Sequence, residues 1–184
     1  MKNIVILGAG PCMGEHVAAE FGALGFHAVL LGRNADRLEA CRRDLAARGF
    51  SADTLVADAG DFASLADAFR AIEARWGRPD VLVHNAADTR VETELPSAQE
   101  LSARLDVEVA SIMTCVEWLR SSQTPAERTL LLTGGGLAIN PHGIFTGLST
   151  SKAALRALAL CLHEKLRPEG IFVGTVTICG CLLY

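Results

Sequence analysis

The chain has 184 residues, room for one domain with a substantial core, and half of them are hydrophobic. Its formal net charge is −4 with no basic run, which argues against a nucleic-acid partner. No apolar stretch approaches the roughly 18 residues of a membrane span, and the opening run to Gly8 is too short, without a cleavage-type end, for a signal peptide. A soluble, cytoplasmic protein is expected. Its mean hydropathy of +0.29 is high for a soluble monomer and points to a homo-oligomer, a dimer or tetramer, although densely buried parallel strands would also raise it.

In chain order, short apolar runs alternate with longer amphipathic ones. Asn3–Gly8, His27–Leu31, Ser51–Ala57, Asp80–His84, Thr129–Thr133 and Ile171–Ile178 read as strands. Between them, helices are predicted near Met13–Leu24, Ala35–Arg48, Phe62–Trp76, Ser97–Ser121 and Ser149–Leu166. Val and Leu fill the strand runs without polar alternation, as strands covered on both faces require. This alternation predicts right-handed crossovers and an α/β fold, a doubly wound parallel sheet of about six strands with helices on both faces. No repeat, linker or low-complexity segment divides residues 1–184, so one domain is expected. The six cysteines lack CxxC spacing and fall mostly in apolar segments, which predicts reduced, buried thiols rather than disulfides or metal ligands.

The first strand runs into Gly8-Ala9-Gly10-Pro11-Cys12-Met13-Gly14, and a helix follows. Glycines here let the backbone turn and approach a pyrophosphate, whose charge the helix N-terminus meets. The alternative is an ordinary strand-to-helix turn. At the end of the second strand, where an NAD site usually carries a carboxylate, stand Gly32, Arg33 and Asn34. The guanidinium of Arg33 suits a 2′-phosphate, so NADP(H) is expected over NAD(H). A charge-assisted bond of ~1.5–3 kcal/mol corresponds to a roughly 10- to 150-fold preference. A solvated arginine at a helix start is the competing reading.

Three more segments are informative: Val56-Ala57-Asp58-Ala59, Val81-Leu82-Val83-His84-Asn85-Ala86-Ala87 and Ser149-Thr150-Ser151-Lys152-Ala153-Ala154-Leu155. With the glycine loop, and in this order, they resemble the short-chain dehydrogenase/reductase family over nearly the whole chain. The resemblance implies a Rossmann-type nicotinamide-dinucleotide domain and cofactor contacts at Gly8, Gly10, Gly14, Arg33, Asn34, Asp58, Ala59, Asn85, Ala86 and Lys152, with no metal. Cys12 stands in place of the family's middle glycine, and Leu7 in place of its threonine.

The family works through Asn, Ser, Tyr and Lys. Lys152 matches the lysine. Leu148 occupies the tyrosine position, Gly135 within Gly134–Gly136 the serine position, and Glu108 the asparagine position. The only tyrosine is Tyr184, so no register shift restores the proton donor. Ser149, Thr150, His142, Asp88 and Glu108 are candidate replacements, and the backbone of Gly134–Gly136 could meet a substrate oxygen. Ser149 reads more readily as a helix cap and His142 as a surface loop residue. Glu108 beside Lys152 would form a buried ion pair. Thr177-Ile178-Cys179-Gly180 resembles the family's Pro-Gly turn, with Cys179 for proline, and the chain is expected to be short for the family beyond it.

Three readings follow. One is an NADP(H)-dependent oxidoreductase with an altered active site, acting on a small carbonyl or alcohol. The second is a catalytically inactive nucleotide-binding sensor or regulatory protein. The third is a dimeric scaffold, for which the Leu155, Leu158, Leu162 and Leu166 stripe gives burial, against its own sheet as readily as against a partner.

Overall fold

The structure is a computed structural model and describes residues 2–121 and 127–180. Six strands form one sheet: β1 (Asn3–Leu7), β2 (His27–Gly32), β3 (Ala52–Val56), β4 (Val81–His84), β5 (Arg128–Gly135) and β6 (Ile171–Ile178). Their order is β3-β2-β1-β4-β5-β6, and every pairing is parallel. The expected doubly wound sheet is present.

Successive side chains on β1 and β2 point to opposite faces, and both faces are covered. Ile4, Ile6, Ala28 and Leu30 pack with Ala18 of α1 (Met13–Ala23) and with Leu38, Cys41 and Leu45 of α2 (Ala35–Ala47). Val5, Leu7, Val29 and Leu31 belong to the opposite core. There they meet α3 (Phe62–Trp76), α5 (Ser111–Arg120) and α6 (Thr146–Leu166), through Phe69, Ile112 and Leu155 among others. This double burial explains the unbroken apolar runs. Phe69 and Trp118 stack with ring centroids 4.1 Å apart, joining α3 to α5.

One predicted helix is three pieces. Ser97–Ser121 resolves into α4 (Ala98–Leu105), a π turn at Asp106–Ala110, and α5. Ser97 and Glu100 form a capping box at the start of α4. The π turn carries Glu108, which is fully buried and bonded to distant groups rather than to its own helix. Two other boundaries move. β5 runs on to Gly135, and α6 begins at Thr146, so Ser149 lies inside the helix and does not cap it.

The cysteine expectation is half right. Cys41 and Cys115 are buried, Cys12 is half-buried, Cys161 and Cys179 are exposed, and all five are free; Cys181, like Tyr184, lies outside the described residues. Among the described residues no helix is long and apolar enough to cross a membrane.

Candidate nucleotide cleft

β1 has β2 on one side and β4 on the other, so the strand order reverses beside it. Ligand crevices of such sheets open at the carboxyl ends of the strands, at that reversal. A cleft of about 860 Å³ lies there, within the ~300–1,000 Å³ typical of small-molecule sites. Gly8, Gly10, Gly14, Arg33, Asn34, Asp58, Ala59, Asn85, Ala86 and Lys152 all line it.

The glycines do different work. Gly8 has φ +84°, and a Cβ there would sit 2.4 Å from the Ala86 nitrogen. Only glycine lets these two chain segments cross so closely. The crossing is tied by Asn85, whose Nδ2 donates to the Gly8 carbonyl at 2.9 Å and whose backbone N–H donates to Leu7 at 2.7 Å. A Cβ on Gly14 would meet the Ala9 Cα at 2.7 Å, so this glycine packs the loop on itself. Gly10 is unlike both, because a Cβ there would meet nothing within 4 Å. The protein's own packing does not demand glycine at this point. A bare backbone facing an open cleft at the start of α1 fits the approach of a diphosphate. Cys12, the residue before α1, also lines this stretch and makes no side-chain cap.

At the far side of the loop, Arg33 is exposed and makes no ion pair or hydrogen bond among the described residues. Arg37, four positions on, lines the same end and was not anticipated from sequence. Its signal was the second basic residue one helical turn after the first. Asn34 and Asp58 also serve the local backbone. Asn34 Oδ1 accepts from the Arg37 N–H at 2.9 Å, and Asp58 Oδ1 accepts from the Gly60 N–H at 2.9 Å.

At the opposite end, Lys152 Nζ donates to the Thr133 carbonyl at 3.0 Å and stands 3.6 Å from Glu108 Oε2. The expected buried ion pair is present. Glu108 also accepts from the Asp88 N–H at 2.9 Å and from Ser151 Oγ at 2.8 Å, with Arg104 3.7 Å away. Burial pushes the Lys152 ammonium below the usual lysine range, and the Glu108 charge opposes that shift.

A family model described as short chain dehydrogenase matches residues 2–182. The chain belongs to this family. Over 184 aligned residues it is 30% identical to subunit BbsC of a hydroxy(phenyl)methylsuccinyl-CoA dehydrogenase from Thauera aromatica, covering 96% of this chain and 71% of that one. It is 26% identical to oxidoreductase UcpA of Salmonella typhimurium, covering 95% and 67%. A metagenomic short-chain oxidoreductase solved in complex with NADP superposes with a TM-score of 0.87, at 24% identity and with 96% and 81% coverage.

Short-chain dehydrogenases place their chemistry beside the lysine, and of the five candidate replacements Glu108 alone is in contact with Lys152 among the described residues. Ser149, Thr150 and His142 line a second cavity of about 490 Å³ instead. Ser149 Oγ accepts from the His142 N–H at 3.2 Å, and exposed His142 accepts from the Ile144 N–H at 3.3 Å. Asp88 bonds Arg90, whose Nε lies 2.9 Å away, and this bond, with Arg104 near, holds its carboxyl down to about 2. It has no proton to give near neutrality. Glu108 is committed to the contacts above. The glycine run is committed in part too, since Gly134 and Gly135 continue β5 and pair with Thr177 and Ile178. Leu148 and Gly135 line the lysine end of the cleft with Cys179, a thiol whose position there the sequence did not reveal.

His84, at the end of β4, was not singled out either. It is buried, with Nε2 2.7 Å from Ser111 Oγ and Nδ1 without a partner among the described residues. Ser111 Oγ donates to the Val107 carbonyl at 2.7 Å, which leaves Nε2 as the donor to Ser111. Burial, then the Lys152 charge, lowers its pKa to about 4, so the ring is neutral.

Proposed function

We propose that the chain binds NADP(H) in this cleft and acts as an oxidoreductase on a small carbonyl or alcohol, with an altered catalytic end. The observation that carries the reading is the gathering of the whole predicted cofactor set along one cleft, with Arg33 and Arg37 open at one end. The backbone around Gly10 and the start of α1 would face the diphosphate, and Asp58 and Ala59 the adenine side. Arg33 and Arg37 would hold the 2′-phosphate, since Gly32, Arg33 and Asn34 bring no carboxylate to repel it. Lys152 would hold the nicotinamide ribose. When bound, the nucleotide supplies or accepts a hydride. The NADP-bound metagenomic relative supports the choice of cofactor.

The alteration lies at Leu148, Gly135 and Glu108, which stand for the family's tyrosine, serine and asparagine. Loss of a general acid typically costs ~10²–10⁴-fold in rate. A second reading, nucleotide binding without turnover in a sensor, regulatory or scaffold subunit, is favoured by one observation. No imidazole or phenol lines the cleft among the described residues, and its one carboxylate, Asp58, bonds the Gly60 N–H. The Thauera relative, named as a dehydrogenase subunit, is compatible with it. Exposed Met113 on α5 and Leu160 on α6 support a homo-oligomer in either case.

NADPH oxidation by the purified protein, followed with a panel of small aldehydes and ketones, separates the two readings. Slow substrate-dependent oxidation, raised by Leu148→Tyr, is the expected result. Nucleotide binding with no turnover in either protein supports the second reading.

A further inference from the structure

The loop after β4 brings one hydroxyl to the lysine end of the cleft, and the chain on both sides of it is held. The Asp88 N–H donates to Glu108 Oε1 at 2.9 Å, and the other oxygen of Glu108 stands 3.6 Å from Lys152 Nζ. The Asp88 carbonyl accepts from Arg104, whose guanidinium also pairs with Glu92 at 3.0 Å. The Glu92 N–H donates to the Ile144 carbonyl at 2.9 Å, and its carboxylate accepts from the Gly147 N–H at 3.0 Å. Between these anchors lies Thr89, which lines the cleft one residue from the contact with Glu108. Its hydroxyl makes no hydrogen bond among the described residues.

We propose that Thr89 holds the substrate, donating a hydrogen bond from Oγ1 to the carbonyl oxygen of a neutral, apolar aldehyde or ketone. The proposal rests on the oxidoreductase reading above and names the substrate class of that same site. The other polar groups of the lysine end are disposed differently. Thr133 Oγ1 donates to the His84 carbonyl at 3.2 Å, and Lys152 is shared between the Thr133 carbonyl and Glu108. The backbone at Gly135 is extended, with φ −148° and ψ 151°, so successive side-chain positions point to opposite sides. A Cβ on Gly135 would meet Lys152 and one on Gly136 would meet Cys179, which puts the thiol across the strand from the lysine. Asn140 lines the cleft with an unpaired carboxamide, in the turn after the glycine run, where its N–H donates to the Gly136 carbonyl. Of Thr89, Asn140 and Cys179, only Thr89 is tied to the lysine, through the Asp88 amide and Glu108.

Leu137, Phe145, Leu148 and Ile178 make the rest of this end apolar. Its one charged side chain among the described residues is Lys152, whose ammonium already faces Glu108. A substrate carboxylate or phosphate would find no free cation there, whereas a phenyl or cycloalkyl group finds apolar walls. In the step, the carbonyl carbon gains the hydride, NADPH becomes NADP+, and the oxygen takes a proton from water. Thr89 gives up no proton. Its O–H dipole stabilises the negative charge that grows on that oxygen.

The test pairs binding with kinetics. Benzamide, a neutral carbonyl compound that resists reduction, is titrated onto the protein–NADPH complex and followed by nicotinamide fluorescence. Thr89→Val should bind it about 5-fold more weakly than the parent, the worth of one neutral hydrogen bond, while holding NADPH equally well. Thr89→Ser, which keeps the hydroxyl, should stay close to the parent. Benzoate, the anionic counterpart, should bind less well than benzamide. In benzaldehyde reduction Thr89→Val should lose roughly 10-fold or more in kcat/KM. Equal benzamide affinity in the parent and Thr89→Val, a loss on Asn140→Ala instead, or tighter binding of benzoate than of benzamide overturns the proposal. So does a parent that binds NADPH but neither binds benzamide nor reduces benzaldehyde, although nucleotide binding then stands. Failure of the parent to bind NADPH overturns the underlying reading as well.

Discussion

Glu108 has no exposed surface, and its carboxylate is met by Lys152, Ser151 and the Asp88 amide. Truncating one partner of such a buried pair leaves the other charge uncompensated. Glu108→Ala should destabilise the fold by about 3–5 kcal/mol in urea unfolding, with Glu108→Gln losing clearly less. The glycine loop gives a sharper contrast. Gly8→Ala combines a positive φ with a 2.4 Å approach to Ala86 and should cost well over ~1 kcal/mol of stability. Gly10→Ala projects its methyl into open space, so stability should hardly change while NADPH affinity falls. His84 gives a pH signature. Its native pKa of about 4 lies below the ordinary 6.5, so the unfolded chain holds the extra proton more tightly. Stability is complete above 6.5 and falls on acidification towards 4, by roughly 3 kcal/mol at most. His84→Asn should flatten the urea midpoint across that range. Asp88, held near 2, adds its own loss only at still lower pH.

At the scale of elements, strands were readable in the sequence because each is sealed on both faces. Ile4 and Ile6 serve one core, Val5 and Leu7 the other, and the result is an apolar run. The glycine loop was readable too, because its signal is contiguous. What escaped depends on distant partners. The π turn holds Glu108 against Ser151, 43 residues away, and nothing in the local apolar period announces that contact. The start of α6 is set from afar as well. The Gly147 N–H donates to Glu92 at 3.0 Å across 55 residues, and Arg104 holds that carboxylate at 3.0 Å. Arg104→Ala should therefore fray the first turn of α6, seen as faster amide exchange at Gly147 and Leu148. Ser149 read as a cap for the same reason, since the sequence does not show the helix starting three residues earlier.

For the molecule as a whole, a six-stranded sheet brings residues from 8 to 180 to one crevice at its strand-order reversal. Family membership and this sheet agree on where a nucleotide belongs, and the two open guanidiniums argue for which one. Binding that stabilises only the folded state must also raise apparent stability, by about 2.7 kcal/mol at a hundredfold excess over Kd. NADPH should therefore shift the thermal midpoint upwards more than NADH at equal concentration. Calorimetric titration of the protein with NADPH and NADH, repeated on Arg33→Ala, tests the central claim most directly. The account predicts a roughly 10- to 150-fold preference for NADPH that Arg33→Ala largely removes without weakening NADH. Equal affinity for the two nucleotides, or no heat from either at about millimolar concentration, would contradict it.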